Sequence, residues 1–153
     1  MLSVFLALQV VVAPLLAIGE VYPDFLLVGV IVSAMRHGMV PAVITGFIAG
    51  LLQDAAVSHL YGLHSLAKSV AGFAAGYAAK NKAKFDLQLT AMIALAAALS
   101  HYLVRDIIYH FGDAGHLFYV LVRFVLPNTL YTIAMMAIVQ MVWPSGLVSK
   151  SLD

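Results

Sequence analysis

Apolar positions along the chain gather into six runs, roughly 2–19, 24–36, 38–54, 63–79, 86–110 and 117–143. Short polar or turn-forming breaks separate them: Glu20 and Pro23, then Arg36-His37-Gly38, then Ser58 to Gly62. Next come Lys80-Asn81-Lys82-Ala83-Lys84 and Gly112-Asp113-Ala114-Gly115. A helix rises 1.5 Å per residue and needs about 20 residues to cross ~30 Å of hydrocarbon. The last two runs are long enough to cross with tilt. The second, at about 13 residues, is marginal, so runs two and three are predicted to cross fully or to form a broken or re-entrant pair. Pro14 predicts a kink in the first run, because proline has no N–H to donate and its ring clashes with the preceding turn.

Composition says which solvent these helices face. The 153 residues are 63% hydrophobic and 10% charged, whereas a soluble domain carries about 25% charged residues. Too few polar residues exist to cover a water-exposed surface, so the pattern predicts an all-α, polytopic membrane protein, one six-helix transmembrane domain over 1–153. The first run lacks a basic leader segment and reads as a membrane helix rather than a signal peptide. A formal charge of +1 speaks against a nucleic-acid binder, which needs clustered Lys and Arg. Cysteine is absent, which excludes disulfides and thiolate chemistry.

Orientation follows from the breaks. With a cytoplasmic N-terminus and six crossings, the inner breaks hold Arg36, Lys80, Lys82 and Lys84, and the inner tail holds Lys150. The outer breaks hold Glu20, Asp24, Asp113 and histidines, with no Lys or Arg. This satisfies the positive-inside rule and places both termini in the cytoplasm.

Three basic residues lie within runs: Lys68, Arg105 and Arg123. Each is five or six residues from the outer end of its run, about 8–9 Å below the outer boundary by helical rise. Asp54 and Asp106 fall in the same layer. Ionisable groups at such depth face partners or water, which predicts an interhelical network of Lys68, Arg105 and Arg123 with Asp54 and Asp106 as counter-ions. Snorkelling of the three cations to the outer headgroups remains the alternative. Neighbours on a helix do not face each other, so Arg105 or Asp106 is expected to look toward another helix.

Two GxxxG motifs, Gly46-Phe-Ile-Ala-Gly50 and Gly72-Phe-Ala-Ala-Gly76, remove side chains so that backbones can approach closely. They predict a helix-packing face, internal in preference to dimeric, and a possible partner face.

Catalytic signatures are missing. His59, His64, His101, His110 and His116 fall on the outer half, but no HExxH, GxSxG or phosphate-binding glycine loop is present. The sequence predicts no enzyme activity, no metal and no cofactor.

Several stretches together resemble the MreD family of the bacterial rod-shape system. They are Pro23-Asp24 opening a helix, then Gly46, Phe47, Gly50, Leu51, Leu52 and Asp54 in a G-F-x-x-G-L-L-x-D pattern. Gly62-Leu63, then Gly72, Phe73, Gly76 and Tyr77, and finally Arg123, Pro127 and Tyr131 complete the series. The resemblance covers nearly the whole chain. It implies a non-enzymatic scaffold of the elongasome, the wall-elongation complex, in the inner membrane. This scaffold binds the membrane-anchored periplasmic protein MreC. Through MreC it connects to a penicillin-binding transpeptidase, RodA and MreB, and so to peptidoglycan synthesis and rod cell shape. The resemblance also implies a fold similar to the six-helix substrate-binding subunits of vitamin importers. A small-molecule transport subunit is therefore the alternative function. Membrane lipids are expected around either.

Overall fold

A computed structural model describes residues 2–17, 22–57, 62–80, 86–109, 119 and 121–142. These form six α-helices and, among the described residues, no strand: α1 (Leu2–Val11), α2 (Phe25–His37), α3 (Met39–Val57), α4 (Leu63–Ala78), α5 (Leu87–Tyr109) and α6 (Leu126–Val142). All six runs therefore became helices. Pro14 has the predicted effect, since α1 ends at Val11 and the chain continues as a 3-10 turn over Ala13–Leu16. A π-turn, Leu121–Val125, leads into α6. Glu20, Lys82, Lys84, His110, Asp113 and Lys150 lie outside the described residues, as do His59 and His116.

Three helical stretches are long and apolar enough to cross a membrane: Met39–Ala56, Leu87–Tyr109 and Val122–Val142. Their apolar side chains point outward as well as inward: Ile44, Phe47, Leu51, Met92, Leu130 and Ile138 are all exposed. Water would not tolerate that surface, and lipid does. The chain is a membrane protein.

The marginal second run becomes the centre of the bundle. Every residue of α2 from Phe25 to Met35 is buried, and it packs against α1, α3, α4, α5 and α6. A helix apolar on all sides belongs in an interior. Its 13 residues span about 20 Å, roughly 10 Å short of the hydrocarbon thickness. Neighbouring helices shield its ends from lipid, so a short helix is tolerated here.

The most extensive contact joins α3 to α4, and the four GxxxG glycines make it. A methyl group on Gly46 would stand 2.3 Å from the Lys68 carbonyl oxygen, and one on Gly50 2.2 Å from Ser65 Cα. From the other side, Gly72 would meet the Ala42 carbonyl oxygen at 2.5 Å and Gly76 would meet Met39 Cα at 2.4 Å. The two helices thus pack antiparallel, the α3 motif against the backbone of His64 to Ser69 and the α4 motif against that of Met39 to Val43. Gly46, Gly50, Gly72 and Gly76 are committed to packing inside the chain and leave no glycine face open to a partner.

Candidate functional site

The α3–α4 register decides what Asp54 does. One turn beyond Gly50, the chain of α3 reaches the start of α4, whose N-cap is Gly62 in the left-handed region (φ 92°) with no side chain to cap the helix. Asp54 supplies that cap from the preceding helix. Its carboxylate accepts from the N–H groups of Gly62 (3.0 Å), His64 (3.0 Å) and Ser65 (3.1 Å) and from the Ser65 hydroxyl (2.7 Å). His64 Nδ1 lies 2.9 Å away. First-turn N–H groups have no intrahelical acceptor, and a negative charge suits the positive end of the helix dipole. Asp54 is therefore satisfied within its own hairpin. Its direct partners are these groups, and Lys68, Arg105 and Arg123 are not among them.

Lys68 has zero exposure and donates from Nζ to Asp24 Oδ2. Asp24 precedes α2, where its other oxygen accepts from the Leu27 N–H at 2.8 Å as an N-cap. Gln9 of α1 assists, its Oε1 accepting from the Phe25 N–H at 2.7 Å. Asp24 reaches Lys68 because α2 packs against α4 with its start beside that residue. His101 of α5 completes the cluster, Nε2 standing 3.6 Å from Asp24 Oδ2. Its Nδ1 has no hydrogen-bond partner among the described residues. Three helix-borne groups from α2, α4 and α5 thus meet around one carboxylate.

Arg105 and Asp106 lie beside this cluster. Arg105 Nε donates to Asp106 Oδ1 at 2.7 Å, so these sequence neighbours bond directly. The guanidinium also sits 5.0 Å from the centre of the Tyr102 ring, a cation–π distance. Tyr102 in turn joins α5 to α6 through Thr132, with the hydroxyl oxygens 3.2 Å apart. Arg123, in the π-turn, is exposed and makes no ion pair with the described residues. The structure brings Lys68, Arg105 and Asp106 into neighbouring positions, gives Asp54 a separate task and leaves Arg123 at the surface.

Asp24, Gln9 and His101 went unassigned in the sequence, where Asp24 counted as an outer-loop charge. The available signals were Pro23-Asp24 as a helix start and Gln9 as an isolated polar residue in an apolar helix. No spacing along the chain reveals a contact between residues 24 and 68. Among the described residues no three His, Asp or Glu side chains come together to hold a metal.

The surface near this end is concave. A cavity of about 400 Å³ opens between α1, its following turn and the end of α3, lined by Leu6, Val10, Ala13, Leu26, Leu52 and Ala56 among others. Gln53 also lines it, and its Oε1 is buried with no hydrogen-bond partner among the described residues. A buried amide oxygen without a donor is costly, so the cavity is both apolar and short of one donor.

A family model described as rod shape-determining protein MreD matches residues 1–149. No curated protein and no solved structure matches the chain. With nearly every residue inside the matched range and a helical membrane bundle to fit it, the chain belongs to the MreD family, which functions in rod shape determination.

Proposed function

We propose that this protein is a non-enzymatic scaffold of the wall-elongation apparatus in the bacterial cytoplasmic membrane, with both termini in the cytoplasm. It binds MreC and, through it, helps control peptidoglycan synthesis together with the transpeptidase, RodA and MreB. The observation that carries the reading is the α1–α3 cavity with its orphaned Gln53 oxygen. Helices associate in lipid through close packing and interhelical hydrogen bonds. A partner helix carrying a hydroxyl or amide donor would fill the apolar hollow and satisfy Gln53 together. The glycine seam offers no such face, because α4 already occupies it.

The test is affinity purification from membranes of the natural host. Ala56 is exposed at the cavity rim, so Ala56→Trp fills the hollow without disturbing the core. Phe73→Trp, on the exposed face of α4, serves as control. Ala56→Trp is expected to abolish recovery of MreC and Phe73→Trp to preserve it. Equal recovery with both variants, or recovery of an ATPase module in place of MreC, overturns the proposal.

A further inference from the structure

At the end of the bundle opposite Asp54 and His101, a second hollow of about 430 Å³ lies where α2 ends, α3 begins and α4 ends. Its walls are Met35, Met39, Phe73, Gly76, Tyr77 and Lys80, among others. Three features distinguish it from the rest of the lipid-facing surface. First, it is deep and apolar yet open to the side. Phe73 and Tyr77 stack along its edge, ring centres 6.4 Å apart and planes 16° from parallel, and both are more than half exposed. Gly76, with no side chain, keeps α4 against Met39 so that this ledge is held in place.

Second, its rim is cationic and uncompensated. Lys80 is exposed and makes no ion pair with the described residues. Arg36 and His37 directly follow the α2 residues that form one wall. Asp86 is the sole carboxylate at this end among the described residues, and it spends an oxygen on capping α5, accepting from the Leu89 N–H at 2.7 Å. Third, α3 begins at the hollow, with Gly38 and Met39 in its lining. The first N–H groups of a helix have no intrahelical acceptor; at the start of α3 these are the N–H groups of Met39 and Val40, since Pro41 has none.

An apolar slot ending at a helix start and at an ammonium with no ion pair among the described residues fits an amphiphile with a negative head. We infer that this hollow binds one anionic phospholipid, its acyl chain along Phe73 and Tyr77 and its phosphate at Lys80 and the start of α3. Tyr77 lies at the end of α4, and tyrosine is enriched at the headgroup level of membrane proteins. Basic pockets between helices at the cytoplasmic side are suited to such headgroups. That the lipid belongs to the inner leaflet rests on the orientation given under Proposed function, whereas the site itself does not.

Native mass spectrometry of the purified full chain tests the inference, using mixed micelles of phosphatidylglycerol and phosphatidylcholine in equal amounts. Wild type is expected to retain one phosphatidylglycerol in preference to phosphatidylcholine. Lys80→Gln is expected to reduce that preference about fivefold, the factor equivalent to about 1 kcal/mol for one basic residue at an anionic surface. Lys80→Arg is expected to keep it. Tyr77→Ala with Phe73→Ala should lower retention of both lipids alike, since it removes the ledge and leaves the charge. Lys82→Gln with Lys84→Gln controls for general surface charge and should leave the preference in place. Three results overturn the inference: no headgroup preference in wild type, a preference unchanged by Lys80→Gln, or a preference lost only in the Lys82/Lys84 variant. Displacement of the lipid by excess inorganic phosphate would make the occupant a small anion and overturn it as well. MreC recovery is expected to be unaffected by these substitutions, so the two proposals fail separately.

Discussion

The α3–α4 hairpin and the α2-centred charge cluster hold the same kinds of residue and solve opposite problems. In the hairpin, Asp54 meets groups 8–11 residues away in sequence, and glycine spacing on two adjacent helices fixes the register. In the cluster, Lys68 meets Asp24 across 44 residues and His101 arrives from a third helix. The hairpin neutralises its carboxylate mainly with backbone N–H groups, while the cluster sets charge against charge. Local pattern is enough to build the first. The second exists only when the bundle closes around α2.

Breaking the cluster should have the largest effect. Lys68→Met leaves Asp24 buried without its cation, and removal of one partner of a buried pair costs about 3–5 kcal/mol. Unfolding in detergent should show this loss, and the double variant Lys68→Met with Asp24→Asn should recover much of it. A double variant as unstable as the single one would mean that the pair is not the unit. Next comes the seam. Gly50→Ala drives a methyl group against the Ser65 backbone, which cannot rotate away as a side chain would, and overpacking costs about 1–3 kcal/mol. A Gly50→Ala protein as stable as wild type would show that the helices can separate freely.

Asp54→Ala should cost about 2 kcal/mol, in the range for hydrogen bonds to a charged group. Asp54→Asn, which keeps one acceptor oxygen, should lie between it and wild type. If Asp54→Asn were as damaging as Ala, charge rather than capping geometry would govern the hairpin. The smallest effect belongs to Arg123→Leu, expected within about 0.5 kcal/mol of wild type as for surface positions without special contacts. A loss of 2 kcal/mol or more, read by the same unfolding assay, would return Arg123 to the buried layer and erase the contrast between the regions.

Legibility followed the range of the interaction. The six helices were visible because hydrophobic runs and their breaks are properties of neighbouring residues. The packing role of Gly46, Gly50, Gly72 and Gly76 was visible because i, i+4 spacing is local to a helix face. The partner of Lys68 was not visible. Asp24 had been assigned to an outer break because it stands at the polar start of the second run. Its burial makes sense only once α2 is known to be enclosed. Arg105 and Asp106 show the converse: they bond as neighbours, because a long guanidinium stem can fold back to a carboxylate that helical spacing alone would point elsewhere.

The sequence by itself determined the solvent, the number of helices and the family. Those depend on composition and on short-range pattern, and every residue of a run contributes to them. Only the tertiary structure decided which charges pair, that the short helix is central, which backbone each glycine meets and where hollows form among the described residues. The reason is physical: a buried ion pair is set by where two helices cross and how deep each one ends. Those quantities belong to the assembled bundle and are not written in any one segment.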